Sequence, residues 1–488
     1  MSLTTALNIA QSALFNTTRQ TTVVSQNISN SGNADYARRS ATIVSTSPGA
    51  TVVNIQRTTD DVLFRSNLKA LSSYQGQSTL LSGMENLDQA VNGVDNADSA
   101  ASALGDFQQA LNLYSATPSN TSLGQNTIDS ARQVVRNLND GTNAIQSFRT
   151  DMDNQISQAV GDLNNLLNSF DQANRAIVAG NQTGADISDV EDQRDGLLKQ
   201  ISQYVSISTI KRNNGDMVLM TSDGATLYET VPRAVTFDPP AGYSATSVGN
   251  AIKIDGVPLS SGAGGNTTAS GKLQAMVQLR DSTATTMQSQ LDEIARGLIG
   301  AFAETDPSGT AALPDTPGLF TWPGAPAMPA GGTLVPGLAG LIKINPAMDP
   351  TAGGSASVLR DGGAGGAGYV ANTSGAASYS DLLIRYSQNL DKPIAFDPTA
   401  GAGSNASVLT YSTNAISSFE AGRKDASDAA DNKNALVTRT TQALSNSTGV
   451  NIDEEMSMLL DLEHSYQASA RMISTVDNML GALMDAVN

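Results

Sequence analysis

The chain has 488 residues, of which 40 % are hydrophobic and only 5 % aromatic, and its formal net charge is −18. The length allows about three domains, and the negative charge disfavours nucleic acid and anionic membranes as partners, because it offers no attraction to phosphate. The absence of cysteine excludes disulfides, thiolate metal sites and cysteine nucleophiles. No apolar run reaches the roughly 18 residues that a membrane-spanning helix needs.

The first thirty residues predict a helix with two ladders that advance seven residues at a step, as in a coiled coil. One ladder contains Leu7, Leu14, Thr21 and Ile28, and the other contains Leu3, Ala10, Thr17 and Val24. Ser2 is placed to cap this helix. Residues 1–34 include no Asp or Glu, and they lack the basic and apolar regions of a signal peptide. We therefore expect a nearly uncharged segment suited to export or to packing.

A turn at Asn30–Asn33 ends this helix, and two β-like stretches follow at 41–44 and 52–55. The run Val24 to Asn30, followed by a short turn, Tyr36 and the pair Arg38-Arg39, resembles the N-terminal motif of the bacterial flagellar rod, hook and hook-associated axial proteins. That family usually has Gly where this chain has Asp35, and Gln is common where it has Arg39.

Residues 60–204 predict a helical region with one break at residues 116–120, which contain Pro118. An apolar stripe runs from Ile128 to Ile177 at spacings of three and four residues. It predicts one helix, or two nearly continuous ones, with a length of about 75 Å. So long a helix needs partners, which favours a bundle with the helices before and after it.

The charged run Asp192-Gln193-Arg194-Asp195 lies near the end of this helical region. Acidic and basic residues three apart on a helix are usually ordinary surface pairs. With the two leucines and the β segment that follow, however, the run resembles a stretch found in the hook-associated members of the axial family.

Residues 206–264 predict a small β domain, because alternating apolar residues are separated by turn signals such as Asn213–Asp216. Helical periodicity returns at 270–304, so the β domain interrupts the bundle. Residues 305–403 are rich in Gly and Pro and contain the only Trp, Trp322. Gly363–Gly368 fits the pattern G-x-G-x-x-G, but neither a clear strand nor a helix flanks it, so a low-complexity loop in a surface-facing excursion is expected.

The C-terminal region predicts a bundle helix that breaks at 446–449 and a last helix that Asn451 caps, with Glu454 as the capping partner. One heptad ladder of that helix comprises Ile452, Leu459, Tyr466, Ile473, Leu480 and Val487; a second comprises Glu455, Leu462, Ser469, Val476 and Leu483. The run from Thr448 to Glu455, with Tyr466 to Ala470, resembles the C-terminal signature of the same axial proteins.

The sequence contains no recognisable set of catalytic residues. The only histidine, His464, has no oriented partner, and no nucleophile, phosphate-binding or zinc motif occurs. The acidic groups at Asp151/Asp153 and Asp189–Asp192 do not define a cation site. We therefore expect no enzyme, no cofactor and no metal.

The expected fold is mainly α with an inserted β domain, in which the N- and C-terminal helices pair as a coiled coil. The expected regions are a terminal assembly domain (1–58 plus 446–488), a long helical bundle (59–205 plus 265–304 plus 404–445), the β domain (206–264) and the Gly/Pro-rich excursion (305–403).

The resemblance implies a structural axial component of the flagellum that forms the junction between hook and filament. It also implies secretion by the flagellar type III route and, as partners, a ring of copies of this chain, the hook protein, the next hook-associated protein and an export chaperone on the C-terminal helix. The alternatives are another axial protein (hook, rod or flagellin), a secreted adhesin or binding protein that uses 305–403, and a secreted hydrolase.

Two sets of site residues follow. The assembly interface is predicted from the heptad ladders: Leu3, Leu7, Leu14, Val24, Ile28, Ile452, Leu459, Leu462, Tyr466, Ile473, Leu480 and Leu483. The motif residues are assigned by resemblance: Asn27, Ile28, Asn30, Tyr36, Arg38, Asp192, Gln193, Arg194, Asp195, Asn451, Asp453, Glu454 and Glu455.

Overall fold

A computed structural model of the chain describes residues 3–46, 49–259 and 267–487. The predicted cap Ser2 lies outside the described residues, as do residues 260–264 of the predicted β domain. Helices dominate the described residues and the sheets are small, which confirms the mainly α fold with inserted β structure.

The α-helices of the described residues follow the predicted order. They are α1 (Leu3–Ser29), α2 (Asp61–Asn92), α3 (Ala100–Ala116), α4 (Thr121–Thr183), α5 (Ser188–Tyr204), α6 (Lys272–Gln278), α7 (Ala284–Ala301), α8 (Ser357–Asp361), α9 (Asp381–Asp391), α10 (Val408–Thr448) and α11 (Ile452–Val487). A π-helical segment, Leu279–Thr283, joins α6 to α7 in one continuous rod.

The strands of the described residues pair only in antiparallel fashion. They are β1 (Arg39–Thr46), β2 (Gly49–Arg57), β3 (Ile207–Lys211), β4 (Met217–Thr221), β5 (Thr226–Glu229), β6 (Val231–Pro232), β7 (Val235–Thr236), β8 (Lys253–Ile254), β9 (Val257–Pro258), β10 (Phe320–Thr321), β11 (Lys343–Ile344), β12 (Ile394–Ala395) and β13 (Asn405–Ala406). Their sheets have the orders β1-β2, β3-β4-β5-β6, β7-β8-β9, β10-β11 and β12-β13.

Helix α4 is the centre of the bundle. It is a single helix of 63 residues, or about 95 Å, and so longer than predicted. The Asn120 side chain caps its start by accepting hydrogen bonds from Ser122 N and Leu123 N, and Gly184 ends it at a φ of 70°. Its apolar stripe is buried against α2, α3, α5 and α7, which explains how so long a helix stays ordered.

Helices α2 and α10 pack along each other on one side of the bundle. Gly83 of α2 permits close contact with the α6–α7 rod, because a Cβ atom there would lie 2.1 Å from Leu279 Cδ1. The β3–β6 and β7–β9 sheets lie between α5 and α6 in the chain, and Ile207 pairs with Thr221 across the first hairpin. The predicted interruption of the bundle by β structure is therefore confirmed.

Residues 305–403 differ from the surface-facing excursion that their composition suggested. Leu319, Phe320, Leu338, Ile342 and Met348 are fully buried and belong to the same hydrophobic core as α4. Gly and Pro disfavour long helices and strands, but they do not prevent the apolar residues between them from packing. The block is therefore a loop-rich layer on the bundle.

The glycine-rich loop 363–368 holds a carboxylate of the protein itself. Ala364 N and Gly365 N donate to Glu304 Oε1 and Oε2 at 3.0 and 2.7 Å, and Glu304 is 1 % exposed. Successive backbone N–H groups form anion-binding concavities. The loop therefore serves an internal acidic residue, which agrees with the expectation that it is not a dinucleotide site.

Asp292 of α7 anchors the loop at 337–339 in a similar way. Its carboxylate accepts hydrogen bonds from Gly337 N at 2.7 Å, Ala339 N at 2.9 Å and Gln288 Nε2 at 3.0 Å. Burial raises the pKa of Asp292 to about 6, although these hydrogen bonds favour the ionised form.

This raised pKa predicts a specific pH dependence of stability. Between about pH 4 and pH 6 the folded chain keeps the Asp292 proton that the unfolded chain releases near its ordinary pKa of 3.8. The contribution of Asp292 to the free energy of unfolding should therefore fall as pH rises through that window, by about 3 kcal/mol in total.

Urea unfolding of the wild type and of Asp292→Asn at pH 4, 5, 6 and 7 measures this effect. The variant lacks the titrating group, so the difference in unfolding free energy (wild type minus variant) should decrease from pH 4 to 6 and then level off. A difference that is constant or increases with pH would contradict the prediction.

Candidate assembly interface

Helices α1 and α11 pack against each other, which confirms the predicted pairing of the terminal helices. In each of the two helices, one of the two predicted ladders is more deeply buried than the other. In α1, Ala10, Thr17 and Val24 are buried, whereas Leu7 and Leu14 are only half-buried. The side chains of the buried ladder are mostly small, so the two backbones can approach closely.

In α11 the buried ladder is the polar one: Glu455, Leu462, Ser469 and Val476. The other ladder flanks this seam and is largely uncovered. Ile452, Tyr466 and Leu480 are 50 %, 48 % and 36 % exposed. A single partner helix buries only one stripe of α11, so the apolar flank is covered only in part by the described residues.

The predicted interface residues therefore fall into three groups. Val24 and Leu462 are buried between α1 and α11. Half-buried positions are Leu3, Leu7, Leu14, Ile28, Leu459 and Ile473; exposed positions are Ile452, Tyr466, Leu480 and Leu483.

The β1–β2 hairpin lies along α1, and side chains of α1 form hydrogen bonds with the backbone of β2. Asn16, which is 5 % exposed, donates from Nδ2 to Ala50 O and accepts at Oδ1 from Val52 N at 3.0 Å. Its amide thus takes the place of a neighbouring strand at the edge of β2. Ser12 Oγ also donates to Ala50 O. These polar residues fix the hairpin on the helix without a large apolar contact.

Asn27 is the hub where α1 meets the turn and α11. It is 1 % exposed. Its Nδ2 donates to Arg39 O at 2.9 Å and to Glu455 Oε2 at 3.0 Å, while its Oδ1 accepts from Tyr36 OH at 2.8 Å and Arg39 N at 3.1 Å. The full hydrogen-bonding capacity of the amide is used, so a residue of another shape or polarity would leave buried groups unpaired.

Glu455 explains the polar position in the α11 seam. The carboxylate is 1 % exposed and also accepts a hydrogen bond from Arg38 Nε at 2.6 Å. Arg38 N in turn donates to Thr448 O at 2.8 Å. The turn after α1 is therefore joined to both sides of the α10–α11 connection.

Two arginines of the hairpin attach this region to α5. Arg39 Nη2 lies 2.6 Å from Asp189 Oδ1 and 2.9 Å from Asp192 Oδ2. Arg57 Nε lies 2.8 Å from Asp192 Oδ1, and Arg57 Nη2 lies 2.7 Å from Asp195 Oδ2. Asp192 thus bridges the two guanidinium groups.

Arg194 faces the opposite side, toward α4 and the β3–β4 turn. It is 2 % exposed and donates to Gly215 O at 2.8 Å and Asn174 Oδ1 at 3.1 Å. The ordinary surface pairs that the spacing alone suggests are therefore not the main contacts of this charged run. Asp192 and Asp195, which are half-buried, pair with arginines of the hairpin, and Arg194 is buried. Gln193 alone of the four is exposed.

Burial and ion pairing oppose each other in this network. Burial lowers the pKa of the Arg39 and Arg57 guanidiniums, but the carboxylates outweigh it, so both pKa values are raised. Burial raises the pKa of Asp192, and the two arginines offset only part of this shift. Burial also lowers the pKa of Arg194, whose closest acceptors at Gly215 and Asn174 are neutral. These directions show that the charges are substantially desolvated.

The remaining motif residues have local roles or lie at the surface. Asn30 Nδ2 donates to Gln26 O, and Asn451 Oδ1 caps α11 by accepting from Asp453 N at 3.1 Å. Ile28 is half-buried, and Asp453 and Glu454 are exposed.

Motif reasoning missed five residues of the network. Arg39 was noticeable only as a departure from the family pattern, and nothing local marked the others. The missed residues are Arg39, Arg57, Asn174, Asp189 and Glu191.

Other site types find no support in the described residues. No helix of the described ranges combines the length and hydropathy needed to cross a membrane. No group of three or more metal-ligand side chains of the described residues is arranged to hold an ion.

Comparison with known proteins shows which family the chain resembles. A family model described as the flagellar hook-associated protein FlgK helical domain matches residues 84–319. Flagellar hook-associated protein 1 of Bacillus subtilis (strain 168) is 22 % identical over 466 residues, which cover 90 % of this chain and 85 % of that protein. The chain is therefore similar to the flagellar hook-associated protein 1 (FlgK) family over most of its length.

Two further comparisons concern the C-terminal region and the fold. A model described as the C-terminal part of the flagellar basal body rod FlgEFG protein matches residues 441–486, which include nearly all of α11. The flagellar hook junction protein FlgK from Burkholderia pseudomallei has a similar fold, with a TM-score of 0.57, 12 % identity, and coverage of 78 % of this chain and 99 % of that chain.

The Asp192 bridge leads to a prediction about local stability. Replacing Asp192 by Asn keeps the shape but removes the charge between Arg39 and Arg57. We expect the free energy for local opening of the β1–β2 hairpin to fall by about 1–3 kcal/mol, because breaking a buried, hydrogen-bonded pair leaves a charge uncompensated.

Native-state amide hydrogen exchange of β1 and β2 measures this opening. The control is Asp223→Asn, the same chemical change at an exposed turn residue, which should leave exchange in the hairpin unchanged. Equal exchange in the wild type and Asp192→Asn would show that the bridge does not hold the hairpin.

Proposed function

We propose that this chain forms the junction between hook and filament of the bacterial flagellum by helical self-assembly through its terminal helices. Similarity to the FlgK family and the match to a rod-protein C-terminal model support a structural component of the flagellum. The observation that supports the assembly mode is the largely uncovered apolar flank of α11, in which Ile452, Tyr466 and Leu480 are exposed.

Contact of this apolar flank with a neighbouring axial subunit is more favourable than its exposure to solvent. Subunits that stack head-to-tail in a helical lattice need two different, complementary surfaces. An apolar ridge exposed along a helix is such a surface, because it loses water when a second helix covers it. We propose the domain division predicted above, with residues 1–58 and 446–488 as the assembly domain and residues 59–205, 265–304 and 404–445 as the bundle into which the β domain (206–264) is inserted.

The partners follow from this role. We propose a ring of copies of this chain, bounded by hook protein on one side and the next hook-associated protein on the other. We also propose secretion through the flagellar export route and an export chaperone that covers α11 beforehand. The charge of −18 gives no basis for binding nucleic acid or anionic membranes, and we propose a role without catalysis.

Deletion of the encoding gene tests the function. The expected result is hooks of normal length without filaments, together with monomeric flagellin in the medium. Missing or shortened hooks would point to a hook or rod role, and normal filaments would refute the proposal.

A single surface substitution in the restored strain tests the assembly mode. Leu480→Asp places a charge on the exposed flank and should abolish filament attachment, while the purified variant unfolds at the same urea concentration as the wild type. The matched control is Leu113→Asp, because Leu113 of α3 is also exposed, at 53 %, but lies outside the terminal helices. Normal motility with Leu480→Asp would contradict a role of this flank.

The free chain should have loose ends. In residues 452–486 of α11, whose burial the structure describes, Leu462 and Val476 are the buried aliphatic residues, and each contributes about 1.5–3 kcal/mol. Ordering the helix costs about 1 kcal/mol or more per residue. We therefore expect residues 1–30 and 455–488 to exchange amide hydrogens almost freely in the monomer.

Hydrogen exchange followed by mass spectrometry checks this expectation, with α4 as the internal reference. The central residues of α4 should remain protected for hours under conditions in which α11 exchanges within seconds. Strong protection of α11 in the monomer would mean that the α1–α11 pair is stable without neighbours.

A further inference from the structure

Methionine is concentrated on the exposed surface of α11. Five of the 14 methionines of the chain lie in this helix. The exposed fractions are 45 % for Met456, 45 % for Met458, 48 % for Met472, 47 % for Met479 and 63 % for Met484. Such exposure of unbranched apolar side chains is characteristic of adaptable binding surfaces.

Three of these methionines form a line. Met458, Met472 and Met479 each stand three residues after a member of the buried seam, namely Glu455, Ser469 and Val476. They therefore share one flank of the seam, which we call the methionine ridge.

The ladder of Ile452, Leu459, Tyr466, Ile473 and Leu480 stands at the corresponding positions before the seam and forms the opposite flank. Helix α1 covers the seam between the two flanks, so each of them is open to a different neighbour.

The methionine ridge differs from the methionines of the hydrophobic core in its access to solvent. Met84, Met152, Met276 and Met348 are at most 7 % exposed and lie in the hydrophobic core. The chain has no cysteine, so thioethers are its sulfur groups that react with peroxides. An oxidant in solution should therefore reach the ridge well before the core.

We propose that the methionine ridge is a peroxide-sensitive modification site whose oxidation blocks assembly of the free chain. In this reaction the thioether sulfur attacks one peroxide oxygen, the O–O bond breaks and an S–O bond forms. The sulfur is oxidised to the sulfoxide while the peroxide is reduced to water.

The product is a polar hydrogen-bond acceptor on a surface that the proposed assembly buries against an apolar neighbour. Burial of an unpaired polar group is unfavourable, so the oxidised ridge binds weakly. This inference rests on the proposed function. It also implies that assembled copies are protected, because the ridge is then covered.

The test uses the purified full-length chain and isolated hooks that lack it. The chain is treated with hydrogen peroxide, and peptide mapping by mass spectrometry locates the sulfoxides. Modification at Met458, Met472 and Met479 should precede that at Met84, Met152, Met276 and Met348. The oxidised chain should need a concentration about tenfold higher, or more, for half-maximal attachment to hooks, and treatment with methionine sulfoxide reductase should restore attachment.

Two variants separate the ridge from general damage. The triple variant Met458→Leu, Met472→Leu and Met479→Leu keeps similar volume and should attach normally before and after peroxide. The matched control, Met456→Leu with Met484→Leu, removes exposed methionines outside the ridge and should remain peroxide-sensitive.

Each outcome has a distinct meaning. If the untreated wild-type chain does not attach to hooks, the proposed function fails. If it attaches and the oxidised chain attaches equally well, or if the triple variant is as sensitive as the wild type, the inference about the ridge is overturned while the function stands.

Discussion

Arg39 and Arg57 hold the terminal region on the bundle by sharing Asp192, and the placement of both terminal helices depends on this attachment. The hairpin that carries the two arginines also lies along α1 through the Asn16 amide, and Asn27 of α1 connects in turn to Glu455 of α11. These links consist mainly of hydrogen bonds and ion pairs. Such links require specific geometry, so they fix orientation more strictly than an apolar contact of the same size.

Helices α4 and α11 are stabilised in opposite ways. Helix α4 buries its apolar stripe inside the chain and is stabilised by neighbours on several sides. Helix α11 buries four seam positions and leaves most of both flanks exposed, so it gains little stabilisation from the rest of the chain. A chain built in this way can keep a folded body while its ends await assembly. The lack of acidic residues before Asp35 also avoids charge repulsion between copies in the proposed assembly.

The candidate site was partly predictable. Resemblance to axial proteins selected Asn27, Tyr36, Arg38, Asp192, Arg194 and Glu455, and all of them meet in one region. Their interactions were not predictable, because acidic and basic residues three apart on a helix have the same local pattern whether they pair with each other or with distant groups. Arg39 approaches Asp189 across 150 positions in the chain, and no local feature of Arg57 indicates its role. The expectation that 305–403 is a surface-facing excursion was wrong for a related reason. Composition describes the flexibility of the unfolded chain, and it does not show whether an individual residue such as Phe320 is buried.

The sequence by itself determined the local structure: the positions of the helices, the break at Pro118, the interrupting β segment and the two heptad ladders at each end. These features depend on periodicity and on turn and cap residues, which act over a few positions. Only the tertiary structure decided which ladder is buried. It placed the polar ladder of α11 against α1, because Glu455 finds Asn27 and Arg38 there, and it left the more apolar ladder and the methionine ridge at the surface. That choice depends on partners brought together from distant parts of the chain, so no local pattern contains it.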